Sequence, residues 1–263
     1  MNQVNPIETP NAEWKKLYKI GGLAALMAGI FFRRNIAAEI SLFSAYQAPS
    51  DVGEWFALLQ SNRLLGLAYL NVFDLVNYIL VGLMFLALFV VLKQANPAFM
   101  TIAIAFCFLG IAAYFASNTA FSMLALSAHY AAATTDAQKT VLLSAGEALL
   151  ALNRFSNADA APGTAGLASL FLIAAAGMLA SITMLQSNVF RRTAAYVGIV
   201  ASALDLAYCF AFVLNTSVDG KVLALVFIPA AGLFWMIWQI LVGWRLWQLG
   251  NLSPHRSNDE TVF

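Results

Sequence analysis

The sequence predicts an all-α membrane protein: a bundle of six transmembrane helices with two short external interfacial helices. Six apolar stretches are candidates to cross a bilayer, which takes about 20 residues. Hydrophobic residues make up 61% of the chain and charged residues 10%, whereas soluble domains are about 25% charged. The runs are continuous rather than alternating, so we expect helices that satisfy their own backbone hydrogen bonds rather than barrel strands.

The predicted spans form one domain. They lie at about 17–32, 64–92, 98–126, 163–185, 194–214 and 222–244. The first run is too short for a hydrocarbon core of about 30 Å at 1.5 Å per residue, so we expect its helix to continue to about Phe43. The transmembrane domain is therefore predicted to cover residues 15–249, between polar cytoplasmic tails at 1–14 and 250–263.

Basic residues predict that both termini are cytoplasmic, because short cytoplasmic loops are enriched in Lys and Arg. Lys15, Lys16 and Lys19 border the first span, and the loop between the fourth and fifth spans contains Arg191 and Arg192 without an acid. We expect the first span to stay as an anchor in a bacterial or archaeal inner (plasma) membrane, with the lipid bilayer as its partner. A formal net charge of +1 gives no sign of nucleic-acid binding.

Two segments on the predicted external side have the pattern of amphipathic helices that lie in the membrane interface. The first covers about 50–60 and has an apolar side that includes Trp55. The second covers 135–152 and begins with Thr135 and Gln138 at capping-box spacing. Both helices could act as a lid that shields the bundle from water or as a gate.

Polar side chains inside the predicted spans are the candidate functional residues. An Asp at the bilayer centre costs roughly 2.5–3.5 kcal/mol on insertion scales, so it normally has a partner or a function. Counted at 1.5 Å per residue, Asp74, Asp205 and Arg34 lie within a layer of about 4 Å. The candidate intramembrane polar layer consists of Arg33, Arg34, Glu39, Asn71, Asp74, Asn77, Asn118, Ser202 and Asp205.

Helical spacing groups several of these polar residues. Asn71, Asp74 and Tyr78 are spaced i, i+3, i+7, which predicts one shared face of the second span. Asn118 and Ser122 belong to a four-residue repeat in the third span that we expect to face inward.

Three interpretations of the layer are open. It could be an internal network of salt bridges and hydrogen bonds that fixes helix register. It could be a small polar pocket, open to the external side, for a solute, an ion or a proton. Alternatively, Arg33 and Arg34 could extend to the outer interface and leave no layer at all.

No sequence motif predicts catalysis. The chain lacks H-E-x-x-H, G-x-S-x-G and Walker-type glycine patterns, so we expect no enzymatic activity and no cofactor. Cys107 and Cys209 both fall inside predicted spans, where two thiols without further ligands are expected to pack rather than to bind metal.

Four short runs carry a family resemblance: YFASNTAFSM at 114–123, YAAATTDAQ at 130–138, IGGLAAL at 20–26 and WFALLQ at 55–60. On these runs the chain resembles the bacterial integral-membrane family called domain of unknown function 4386, over most of residues 15–245. The resemblance implies a helical membrane fold. That family has no established activity, so the resemblance supplies no catalytic residues.

Two function classes therefore remain. The first is a protein that binds or transports a small solute or ion through an outward-facing polar layer. The second is a non-catalytic structural or partner-binding membrane subunit, in which a buried charge network fixes helix packing. The sequence leaves the oligomeric state open.

The predicted orientation can be tested by cysteine labelling in intact cells. An impermeant thiol reagent added from outside should modify an Asp159→Cys variant but not an Asn188→Cys variant, because the two positions lie in loops on opposite sides of the membrane. The reverse labelling pattern would contradict the orientation.

Overall fold

A computed structural model describes residues 14–45, 49–152, 163–214 and 220–251, with the backbone alone at 31–45 and 220–226. All regular structure in these residues is α-helical. The ten helices are α1 (Lys15–Ala45), α2 (Val52–Ser61), α3 (Arg63–Tyr69), α4 (Val72–Leu92), α5 (Pro97–Ser117), α6 (Ala120–Ala132), α7 (Asp136–Leu152), α8 (Thr164–Gln186), α9 (Arg192–Leu214) and α10 (Gly220–Asn251).

Six of these helices pack into a closed ring. In order around the ring, α1 contacts α4, α4 contacts α5, α5 contacts α8, α8 contacts α9, α9 contacts α10, and α10 returns to α1. Helix α8 also reaches α4 across the ring. Large side chains fill much of the interior of the ring, among them Met84, Phe85, Leu88 and Trp238.

Helix α1 shows how the ring is held together. Apart from Tyr18, the buried positions among its described side chains are Gly21, Gly22, Ala24, Ala25, Ala28 and Gly29, and its exposed ones include Ile20, Leu23, Met27 and Ile30. Small residues therefore face the neighbouring helices and large apolar ones face outward. This distribution is expected in lipid, where close backbone contact rather than hydrophobic burial drives helix association.

Five segments with described side chains are long and apolar enough to cross a membrane: Val72–Leu92, Pro97–Ala132, Thr164–Gln186, Arg192–Leu214 and Phe227–Asn251. The chain thus has the helices of an integral membrane protein. The crossing of α1, and with it the count of six, stays a prediction because its side chains are described only to residue 30.

Two of the predicted spans are interrupted, which corrects the predicted boundaries. The span predicted at 64–92 breaks before α4 at Asn71, whose φ of 58° lies in the left-handed region that Asn enters more readily than most residues. The span predicted at 98–126 breaks at Asn118 and Thr119, between α5 and α6. Helices α4 and α5, of 21 residues each, still rise about 31 Å apiece.

Helices α2, α3, α6 and α7 form a second packing unit, the end cluster, where α4 begins and α5 ends. Its core consists of Val52, Trp55, Phe56, Leu59, Tyr69, Leu70, Ala120 and Met123. The helices predicted at 50–60 and 135–152 are confirmed as α2 and α7, whereas their external position stays a prediction. One bond of the predicted capping box forms, since the Gln138 N–H donates to Thr135 Oγ1 at 3.3 Å, whereas Gln138 Oε1 accepts from the N–H of Thr134, one residue before the N-cap, at 3.3 Å.

The backbones of α1 and α10 touch, so a methyl group at their contact should destabilise the ring. A Cβ at Gly243 would lie 2.8 Å from both the Gly22 carbonyl oxygen and the Leu26 nitrogen. We expect Gly243→Ala to lower the free energy of unfolding by about 1–3 kcal/mol, the usual cost of overpacking. Thermal denaturation in detergent measures the change.

Gly82→Ala is the matched control for this prediction. A Cβ at Gly82 would meet the end of the Ile111 side chain at 3.2 Å, and this side chain can move, whereas the α1 backbone cannot. Equal losses of stability in the two variants would contradict the role of the α1–α10 backbone contact.

Candidate intramembrane polar site

Asp74 lies in the first turn of α4, not well inside a longer helix as the sequence suggested. The Tyr114 hydroxyl on α5 donates a hydrogen bond to Asp74 Oδ2 at 3.0 Å. One turn further along α4, the Tyr78 ring stacks on the Tyr114 ring with centroids 4.1 Å apart. A carboxylate at this position is favoured by the partial positive charge of the helix N-terminus.

Asn118 connects the two helix breaks. Its Nδ2 donates to the carbonyl oxygens of Leu70 and Asn71, both at 3.3 Å, and its Oδ1 accepts from the Ala120 N–H at 3.1 Å. Helix ends leave carbonyl and amide groups without intrahelical partners. The Asn118 amide satisfies such groups at the α3–α4 and α5–α6 breaks together, and it fixes the start of α4 beside the end of α5.

The second carboxylate, Asp205 on α9, is buried with 7% of its surface exposed. The Trp235 Nε1–H on α10 donates to Asp205 Oδ2 at 2.6 Å. One turn away on α9, Ser202 faces Gly177 of α8, where a Cβ would lie 2.8 Å from Ser202 Oγ and would also clash with the Trp235 ring. Helices α8, α9 and α10 therefore meet near Asp205, where the Trp235 ring and the Ser202 hydroxyl pack directly on the Gly177 backbone.

The two carboxylates belong to one polar region. Tyr78 interacts electrostatically with both Asp74 and Asp205 and lies beside Ser169 of α8. Further along the ring, Ser181 Oγ and Trp238 Nε1 meet at Gly198, where a Cβ would clash with both. We call this continuous set of interior polar groups the polar column: Asp74, Tyr78, Ser169, Asp205, Trp235, Ser202, Ser181 and Trp238.

Several buried polar atoms in or beside the column have no hydrogen-bond partner among the described residues. They are Asn77 Oδ1, Ser169 Oγ, Ser181 Oγ, Ser202 Oγ, Trp238 Nε1 and Gln239 Oε1. An unsatisfied buried polar atom costs about 1–3 kcal/mol, and buried polar groups in native proteins nearly always have a protein or water partner. These atoms can therefore bind water or a polar ligand inside the ring.

The predicted site residues have different positions in the structure. Asp74, Ser202 and Asp205 lie in the polar column, and Asn77 is buried beside it. Asn118 lies at the end of the column that borders the end cluster. The prediction that Asn71 shares a face with Asp74 is wrong, because Asn71 precedes α4 and its carbonyl accepts from Asn118. The inward repeat likewise ends at the α5 break, since Ser122 is exposed.

The α1 members of the predicted layer are Arg33, Arg34 and Glu39. They lie within the helix but outside the described side chains. Their meeting with Asp74 and Asp205 therefore stays a prediction.

Sequence reasoning did not identify much of the column. The missed residues are Ser169, Ser181, Trp235 and Trp238, and Gln239 beside the column was missed as well. Ser and Trp are common in apolar helices and give no signal singly. A usable signal was available at Gly177 and Gly198, because a glycine inside a span often marks the place where a neighbouring large side chain needs room.

No family model, no curated protein and no solved structure matches this chain. The resemblance to domain of unknown function 4386 stays a prediction from the sequence.

Replacing the Asn118 amide should separate the two helix breaks. Asn118→Asp keeps the shape of the side chain but removes the donors to Leu70 and Asn71 and places a carboxylate against their carbonyl oxygens. We expect the free energy of unfolding to fall by about 2 kcal/mol or more, measured by denaturation in detergent. Ser122→Ala, at an exposed position one turn further on, is the control and should leave stability unchanged; an unchanged Asn118→Asp variant would contradict the bridging role.

Proposed function

We propose that this protein binds a small solute or ion in the polar column and transports it across the membrane, and that the cargo is a small cation or a proton. The observation that carries the proposal is the pair of carboxylates, Asp74 and Asp205, both within electrostatic range of Tyr78, in a ring interior that also contains buried polar atoms with no described protein partner. No described Lys or Arg side chain belongs to the column, which favours a cationic ligand.

The donor set suits such a cargo. Five of the six unpartnered atoms are oxygens that can accept a hydrogen bond or face a cation: three Ser hydroxyls and the amide oxygens of Asn77 and Gln239. Carboxylate, hydroxyl and amide oxygens are the ligands of hard cations, and hydrogen-bonded hydroxyls also carry protons. Asp74 is half-buried, whereas Asp205 is buried, so they offer an outer and an inner binding position.

A structural membrane subunit is the second candidate, and a specific observation favours it. Each carboxylate accepts a hydrogen bond from the neighbouring helix: Tyr114 joins α5 to Asp74 on α4, and Trp235 joins α10 to Asp205 on α9. Such bonds fix helix register whether or not a ligand binds. In this alternative the protein is a non-catalytic subunit, and the end cluster is its docking surface.

We further propose that the termini are cytoplasmic and the end cluster external, and that the chain belongs to the family it resembles. Charge distribution supports the orientation. The ring end away from the end cluster carries the described basic residues Lys15, Lys16, Lys19, Lys93, Arg191, Arg192 and Arg245, whereas the end cluster carries Arg63 and Lys139 together with the acids Asp51, Glu54, Asp136 and Glu147. Basic residues favour the cytoplasmic side, so Asp74 would face outward.

Asp205→Asn separates the two candidates. The amide oxygen of Asn can still accept the Trp235 hydrogen bond, so stability should be retained, but the negative charge is lost. We expect cation or proton flux into proteoliposomes, followed with an internal fluorescent indicator, to fall by at least about tenfold, equivalent to about 1.4 kcal/mol of barrier. Asp74→Asn should behave in the same way.

Glu147→Gln is the control, because it removes an exposed acid of the end cluster and should leave flux unchanged. The structural alternative predicts a different pattern: no flux in the wild-type protein, a stable Asp205→Asn variant, and a lower denaturation temperature for Trp235→Phe. Wild-type flux that survives both carboxylate substitutions would contradict a transport role for the column.

A further inference from the structure

A second polar feature lies at the opposite end of the ring. A cavity of about 470 Å³ opens between the α8–α9 connection and the last turns of α10. Its polar lining consists of Asn188, Arg191, Thr193, Trp244, Arg245 and Gln248. The volume falls in the range of small-ligand sites, about 300–1,000 Å³, and the cavity is separate from the polar column.

Arg245 is held in position within this cavity. Its Nε–H donates to the Val189 carbonyl oxygen at 2.7 Å, which fixes the plane of the guanidinium group. Arg carries five N–H donors in a rigid fork, so the terminal donors of Arg245 remain for a ligand. A fixed, planar fork is the arrangement that recognises carboxylate and phosphate oxygens bidentately.

The surroundings favour an anion. Arg191 also lines the cavity, and the lining contains no Asp or Glu. Thr193 belongs to the first turn of α9, which begins at Arg192, so the positive end of that helix adds to the two side-chain charges. Positive charge, N–H donors and a hydroxyl thus surround one cavity.

A hydrophobic surface leads away from this cavity along α10. Trp244, which lines the cavity, is 59% exposed, and exposed Leu233, Ile237 and Ile240 lie before it at spacings of four and three residues. Residues at this spacing form one helix face. An exposed Trp is typical of the membrane interface. We call this face the exposed stripe of α10. A ligand with a charged head and an apolar chain could therefore occupy the cavity with its head and the stripe with its chain.

We propose that this cavity binds the phosphate headgroup of an anionic phospholipid, with the acyl chain along the exposed stripe of α10. A soluble phosphate ion shares the headgroup chemistry but has no apolar chain that would contact the stripe. Basic pockets between transmembrane helices on the cytoplasmic side are known to hold anionic lipid headgroups, and this end of the ring is the one that we propose to be cytoplasmic. Binding does not depend on transport through the column.

Thermal denaturation of the full chain in a neutral detergent tests the proposal. Short-chain phosphatidylglycerol should raise the denaturation midpoint by several degrees, because a ligand that binds only the folded state stabilises it. Phosphatidylcholine of the same chain length and inorganic phosphate should have no such effect. Native mass spectrometry should retain bound phosphatidylglycerol under the same conditions.

The Arg191→Gln/Arg245→Gln variant should bind phosphatidylglycerol at least about tenfold more weakly, since it loses two charge-assisted contacts. Arg63→Gln is the control, because it removes an exposed charge at the other end of the ring. If the double variant does not fold, Arg191→Gln alone, at an exposed side chain, provides the comparison. Arg245→Lys should lose part of the affinity, because Lys keeps the charge but not the fork.

Three results would overturn the proposal. Equal stabilisation by phosphatidylcholine would show that the headgroup charge is not recognised. Equal stabilisation by inorganic phosphate would assign the cavity to a soluble anion instead of a lipid. Equal weakening by Arg63→Gln would show attraction to net charge rather than to this cavity. Each outcome is independent of whether the protein transports a cation.

Discussion

Close contact between helix backbones is the constraint on which this structure depends. In lipid the apolar side chains gain little by leaving their surroundings, so helices associate where small residues let the backbones meet. Gly22 and Gly243 do this for α1 and α10, and Gly110 does it for α5 and α8. Glycines also make room for the polar column, because the missing side chains of Gly177 and Gly198 leave the space that the Trp235 and Trp238 rings occupy.

The burial of polar groups in the column is only partly compensated by the described hydrogen bonds. A charged Asp deep in a membrane costs roughly 2.5–3.5 kcal/mol, and one hydrogen bond to a charged group returns about 1.5–3 kcal/mol. The bond from Trp235 therefore does little more than offset the burial of Asp205. The unpartnered oxygens nearby add a further cost, which a well-packed apolar interior would avoid. Under the proposed function, a ligand that pairs with these groups would offset this cost.

Hydropathy predicted the long helices well and their interruptions poorly. Charges inside apolar runs made Asp74 and Asp205 recognisable as candidates. By contrast, the breaks at Asn71 and Asn118 depend on hydrogen bonds between residues almost fifty positions apart in the chain. A mean hydropathy over one segment contains no information about such bonds. Ser181 was also beyond prediction, because its importance comes from the Trp238 ring on another helix.

The joint at Asn118 has a consequence for Asp74. Its two donated bonds are neutral, at 3.3 Å each, and a bond of this kind contributes about 1 kcal/mol. Together they contribute about 2 kcal/mol. The start of α4, and Asp74 with it, is thus held beside α5 by bonds between separate chain segments and not by the continuity of one helix.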